Sequence, residues 1–245
     1  MAVQLQLNPP RIRSRDRLTL YAGYAFGWPN CLGTARPYVR GCLTTPRYAH
    51  RVSKEVDTPV MLDNGAWSDH QNKRHRLLME VVDDLIDAYH TIGPDNVRWV
   101  VAPDKVGNGY LSDRRGYEGT QWLSAKGVPG SKILWPIQEG MSLANPVRFL
   151  EFGRIGGFFI GGRTRRWKLE MARAIKGWRS DVYVHVARIS SAVHLECATS
   201  IGVDSFDTTT YSRQQNWNRR QDFAETLEPY CRLSNDAWIS RVAYY

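Results

Sequence analysis

Six short apolar runs, most of them ending on a polar residue or a pair of glycines, constrain this chain more than any other feature. Pro59 to Asp63, Val97 to Asp104, Lys132 to Gln138, Gly157 to Gly162, Val182 to Ala187 and Val203 to Asp207 are rich in β-branched and aromatic residues. Turn signals such as Asn64-Gly65 follow several of them. Between the runs the apolar spacing is helical. Leu77, Leu78, Val81, Val82, Leu85, Ile86 and Tyr89 share one stripe that Gly93-Pro94 ends. Asn145-Pro146 reads as the cap and first residue of a helix, and Ser190-Ser191 caps another through Val193, Cys197 and Ile201. Trp167, Met171, Ile175 and Trp178 mark the apolar stripe of an amphipathic helix. A further strand is expected over Leu18 to Phe26, and Gly107 and Gly109 read as loop.

Apolar strands alternating with amphipathic helices imply a parallel sheet covered on both faces. At 245 residues the number of units predicts one domain, an α/β (β/α)8 barrel of the TIM type, complete or irregular. A doubly wound open sheet is the other arrangement. Residues 1–17 form a basic arm ahead of it, with Arg11, Arg13, Arg15 and Arg17.

In such a barrel the carboxyl ends of all strands open on one face. Asp63, Asp104, Gln138, Gly161-Gly162 and Asp207 should therefore converge, although they are scattered along the chain. Each has a plainer reading beside the functional one. Asp63 suits a turn, Asp104 a partner for Lys105, Gln138 a loop surface, the glycines steric relief, and Asp207 the N-cap of a following helix.

The formal charge is +9, which favours a polyanionic partner such as nucleic acid. Arg163, Arg165, Arg166, Lys168, Arg173, Lys176 and Arg179 crowd one segment against the single acid Glu170. Arg213, Arg219 and Arg220 flank Asn216, Trp217 and Asn218 farther on. Cys31, Cys42, Cys197 and Cys231 include no CxxC pair, so neither a disulfide scaffold nor a structural zinc site is indicated. The amino-terminal residues lack a leader pattern and no run approaches membrane-spanning length, so a cytoplasmic protein without membrane contact is expected.

The motifs, taken in order, resemble those of the tRNA-guanine transglycosylase superfamily. They are Asp63-Asn64-Gly65-Ala66-Trp67, Asp104, Gln138-Glu139-Gly140, Gly161-Gly162 and Gly202-Val203-Asp204-Ser205-Phe206-Asp207. The resemblance covers roughly residues 59–213, and only the last motif is specific alone. Asn64 and Ala66 stand where the family has Ser and Gly. The family's tRNA-acting bacterial members carry three cysteines and a histidine as a zinc site after the nucleophile, whereas this chain has only Cys231 and no histidine there. That departure makes it look like the phage-type DNA-guanine transglycosylases, which place 7-deazaguanine bases in DNA; residence in a host cytoplasm would follow for a phage-encoded protein.

The resemblance implies Asp207 as nucleophile and Asp63 as acid and base, with no metal and no cofactor. Breaking an N-glycosidic bond asks for a carboxylate at the anomeric carbon and a proton donor at the departing base, as in retaining glycosidases. Asp63, on an apolar strand near another carboxylate, should have a raised pKa. Asp104, Gln138 and the backbone around Gly161 and Gly162 would read a guanine-like edge. Trp67 has two readings, stacking on the base and core packing. The target base must be flipped out or single-stranded, with Arg163, Arg165, Arg166, Lys168, Arg213, Arg219 and Arg220 on the phosphates. Free 7-deazaguanine is the second substrate, and a homodimer is among the forms left open. The competing readings are a compact zinc-free tRNA-guanine transglycosylase, a nucleic-acid-binding barrel without catalysis, and a carbohydrate hydrolase using the same paired acids.

Overall fold

A computed structural model describes residues 18–24, 38–208 and 227. Eight parallel strands close on themselves: β1 (Thr19–Gly23), β2 (Val39–Thr44), β3 (Val60–Leu62), β4 (Val97–Val101), β5 (Ile133–Ile137), β6 (Gly157–Ile160), β7 (Tyr183–Val186) and β8 (Ser205–Thr208). Neighbours in sequence are neighbours in the sheet, and β8 returns to β1 with Tyr21 beside Asp207. Helices follow the strands in the order α1 (Ala49–Glu55), α2 (Ala66–Gln71), α3 (Leu78–Ile92), α4 (Gly109–Ala125), α5 (Ala144–Glu151), α6 (Arg165–Trp178) and α7 (Ala192–Ile201). The protein is a (β/α)8 barrel, as the alternation of periods predicts.

Strand side chains alternate between two apolar layers. Tyr21, Met61, Trp99, Leu134 and Phe159 fill the barrel, packed with Tyr183 and Leu43. Leu20, Leu62, Val100, Trp135, Phe158, Val184 and Phe206 face outward into the larger layer beneath the helices. Both layers bury the strands, which is why the runs read as continuously apolar.

Four local expectations are corrected. β2 is absent from the sequence reading because Arg40 and Gly41 interrupt its apolar pattern. Gly41 is required there, since a Cβ would collide with the Tyr21 ring of the neighbouring strand. Gly109 is not loop but the first residue of α4, capped by the Asn108 side chain, which accepts from the Leu111 N–H at 2.9 Å. α5 starts before Asn145-Pro146, at Ala144, whose N–H donates to Ser142 Oγ at 3.2 Å. On α6 the buried residues are Lys168, Leu169, Ala172 and Ile175, while Trp178 is 47 % exposed. The true stripe is rotated from the one that the bulkiest residues suggest.

The basic arm 1–17, the end of the first expected strand at Ala25 and Phe26, Cys31 and Cys231, and the stretch carrying Arg213, Trp217, Arg219 and Arg220 lie outside the described residues. Among the described residues no helix is long and apolar enough to cross a membrane.

Candidate active site

Asp63, Asp104, Gln138, Gly161, Gly162, Trp67 and Asp207 all line one cavity of about 350 Å³ at the carboxyl ends of the strands. That volume lies in the range of small-molecule sites, roughly 300–1,000 Å³. Convergence of seven residues from five strand ends is the outcome that the barrel reading required.

Asp207 sits within β8 and is 2 % exposed. Its Oδ1 accepts from His185 Nε2 at 3.0 Å and from the Arg188 backbone N–H at 3.1 Å. No described residue bonds its Oδ2. His185 is fully buried inside the barrel, stacked on Phe159 with ring centroids 4.8 Å apart and met edge-on by Tyr21. Its Nδ1 lies 2.9 Å from Ser205 Oγ, which lies 2.6 Å from the Tyr183 hydroxyl. The register of β7 on β8 sets this up, because His185 pairs directly with Ser205 and Val186, the end of β7, with Phe206, the residue before Asp207.

Arg188 follows β7 in a left-handed conformation, φ 60°, costly for a residue with a side chain, about 1–3 kcal/mol. The turn aims its N–H at Asp207 and folds its side chain back over the cavity. Nη2 donates to the Gly162 carbonyl at 2.6 Å, and the guanidinium lies 3.8 Å from the centre of the Trp67 ring. Burial pulls the Arg188 pKa down, while Asp207 and Asp63 act in the opposite sense. Trp67 is half-buried and lines the cavity, so its ring is cavity wall, not core.

Asp63 ends β3. Its Oδ1 accepts from the Gly65 N–H at 3.2 Å, so the turn reading of this acid also holds for one oxygen. Gly65 precedes α2 as its N-cap at φ 79°, a conformation that glycine adopts without strain. Burial, then the charge of Asp104, pushes the Asp63 carboxyl up to about 7, and Asp207 adds to the effect. Asn64, standing where the resembled family has Ser, is 2 % exposed and donates to the Ala102 carbonyl at 2.6 Å and to Asp104 Oδ1 at 3.0 Å. It ties the end of β3 to the end of β4.

Asp104 is not bound to Lys105. Its Oδ2 accepts from Gln138 Nε2 at 2.5 Å, and burial raises its pKa against these two hydrogen bonds. Gln138 is 3 % exposed, and its Oε1 accepts from the Gly162 N–H at 3.0 Å. The Gly161 N–H goes to the Ile137 carbonyl at 3.0 Å. The two glycine N–H groups, expected to face a ligand, are therefore used within the protein. Gly161 gives room instead, because a Cβ there would strike Gln138 Nε2. Asp104, Gln138 and Arg188 are among the wall groups with hydrogens or lone pairs to spare.

The basic helix divides into two parts. Arg163 is exposed near the mouth, with its backbone N–H on Glu139 Oε1 at 3.0 Å and Nε 3.4 Å from Oε2. Arg165 reaches Ser190 Oγ at 3.1 Å, and Arg166 pairs with Glu170 along the outer helix at 2.7 Å. Lys168 is a correction: it is 2 % exposed, and its Nζ donates to the Ala187 carbonyl, so it holds the end of β7 and cannot meet a phosphate. Burial lowers its pKa to about 8.

His185, Arg188 and Asn64 were not singled out as site residues in the sequence. A signal for His185 existed, since it is the one basic residue in a β7 run otherwise made of aliphatic residues and Tyr183, and it shares the inward phase of Tyr183 and Ala187. Arg188 carried none, because its left-handed turn is invisible in composition. Among the described residues no group of three or more His, Cys, Asp or Glu could hold a metal ion.

Fold and site together define a (β/α)8 barrel whose mouth presents the carboxyl groups of Asp63, Asp104 and Asp207 and the guanidinium groups of Arg47 and Arg188 around one cavity, with the buried His185 imidazole bonded to Asp207. Models of known protein families and the curated proteins contain no match to this chain.

Proposed function

We propose that this protein exchanges guanine in DNA for a 7-deazaguanine base, by double displacement through a covalent intermediate on Asp207. The observation that carries the reading is a pairing in one cavity. Asp63 is a carboxyl driven up to about 7, and Asp207 is a carboxylate with one oxygen held by two donors and the other unbonded among the described residues. A carboxyl that titrates near neutrality can deliver a proton, while its neighbour attacks.

The steps then follow from charge. Asp207 Oδ2 attacks the anomeric carbon, the glycosidic electron pair leaves with guanine, and Asp63 supplies the proton that neutralises the departing ring. The incoming base loses its proton to Asp63 and displaces Asp207, whose C–O electron pair returns to the carboxylate. Asp104 and Gln138, which line the cavity, would accept from and donate to the guanine edge, with Arg188 as a further donor. DNA is preferred to tRNA because residues 208–245 hold one cysteine and no histidine where the tRNA-acting members of the family it resembles carry their zinc ligands. The charge of +9 suits either polymer.

The test is base exchange. The protein is incubated with labelled guanine and duplex DNA, single-stranded DNA or tRNA, and label in the polymer is counted. Label in DNA is expected. Label in tRNA alone would select the zinc-free tRNA enzyme, and label in no polymer would leave a binding barrel.

A further inference from the structure

We infer that His185 is a positioning residue for Asp207 whose Nε2–H holds the carboxylate oxygen that does not attack, and that this hydrogen bond chiefly serves the discharge of the covalent intermediate. The inference rests on the reading of Asp207 as nucleophile.

A carboxylate only accepts, so the proton of the 3.0 Å contact lies on Nε2. The ring has little freedom to turn away. Phe159 covers one face at an interplanar angle of 11°, Tyr21 closes from the edge at 71°, and Ser205 Oγ engages Nδ1 at 2.9 Å. Tyr183 in turn engages Ser205 at 2.6 Å. A polar chain of four side chains thus runs from the cavity floor into the barrel, with Asp207, His185 and Ser205 buried and Tyr183 partly so. Burying such a chain is costly unless every member is bonded, and here each is.

Oδ1 therefore has two donors, His185 Nε2–H and the Arg188 N–H, and Oδ2 is the oxygen that bonds to the sugar. In the adduct Oδ1 is the ester carbonyl. As the second base attacks, the C–O bond to Oδ2 breaks and its electron pair spreads over both carboxylate oxygens. The donors on Oδ1 meet that growing charge, as the donors of an oxyanion hole do. In the first displacement the same donors face a carboxylate that is losing charge, so they slightly restrain attack. Losing the His185 donor should consequently slow discharge far more than formation, and the adduct should build up.

The test uses the full chain, a DNA oligonucleotide with a single guanine, and labelled free guanine to discharge the adduct, followed by rapid quench. His185→Phe keeps a ring against Phe159 and removes the N–H; His185→Gln returns an amide N–H near the same place. His185→Phe should slow discharge roughly ten- to a hundred-fold, the worth of a hydrogen bond to a charged group, with adduct accumulating and His185→Gln recovering most of the rate. A side chain that merely fills space would change both half-reactions alike and would not be rescued by Gln. Wild-type partition between formation and discharge in His185→Phe would overturn the inference. Should that variant fold poorly, the ring 15N signals of wild-type His185 decide: a protonated Nε2 whose resonance moves in Asp207→Asn is expected, and a ring protonated on Nδ1 alone would overturn it. A wild-type protein that forms no adduct removes the reading of Asp207 itself, whereas adduct in the wild type with unaltered partition in His185→Phe removes only the role of His185.

Discussion

Replacing Asp63 by Asn should make the protein more stable above neutral pH, because the folded state holds this carboxyl where its charged form is penalised. Burial and the nearby acids Asp104 and Asp207 raise its pKa from 3.8 to about 7. Below pH 3.8 both folded and unfolded chains are protonated at this position, so the acid costs nothing. Between 3.8 and about 7 the unfolded chain releases the proton while the folded one keeps it, and stability falls as pH rises. Above about 7 the penalty is complete. At about 1.4 kcal/mol for each pH unit the gap corresponds to about 4 kcal/mol. Solvent in the cavity screens part of this, which leaves roughly 2–4 kcal/mol. For a chain of this size that is on the order of 5–15 °C in Tm. Thermal unfolding of wild type and Asp63→Asn from pH 4 to 9 should give curves that meet at the acid end and diverge through neutrality, with the variant higher. Parallel curves would refute the reasoning, since they would mean that Asp63 titrates alike in the folded and unfolded chains. The same variant has no proton to give a departing base, so its gain in stability should come with loss of exchange.

Asp207→Asn should keep the fold, since amide and carboxylate have the same shape, yet yield no trapped adduct and no base exchange on denaturing gels and label counting. Gly161→Ala should push Gln138 off Asp104 and cost roughly 1–3 kcal/mol, with KM for the base raised more than kcat is lowered in steady-state kinetics. Neutralising Arg163 and Arg165 together should reduce the salt dependence of DNA binding by about two ion equivalents, read by fluorescence anisotropy. Lys168→Met should leave that slope unaltered, because its ammonium is enclosed against Ala187, and should change only stability.

What was legible in the sequence was local. A strand of four or five residues that is apolar on both faces announces itself whatever surrounds it, and the polar residue that ends it is at the barrel mouth by topology alone. Asp63, Asp104, Gln138 and Asp207 reach one cavity for that reason. The alternation of such strands with helices sufficed for the barrel, and the raised pKa expected of Asp63 needed only the apolar strand and one neighbouring acid.

The tertiary structure decided whatever depends on a partner distant in sequence. β2 exists because Gly41 lets the Tyr21 ring lie against it, a contact between two strands that neither segment encodes alone. Lys168 rather than Trp178 turns inward on α6: ten residues at about 100° each leave the two about 80° apart around the helix, and the Ala187 carbonyl satisfies the ammonium that faces the sheet. The Gly162 N–H is spent on Gln138 because β5 and β6 lie side by side. His185 is a buried polar residue whose need for partners is met only when β7 and β8 bring Ser205, Tyr183 and Asp207 to its two nitrogens and their neighbours. Apolar burial is nearly additive along a chain and so can be read from it, whereas hydrogen bonding is directional and pairwise, and its pairs are set by register.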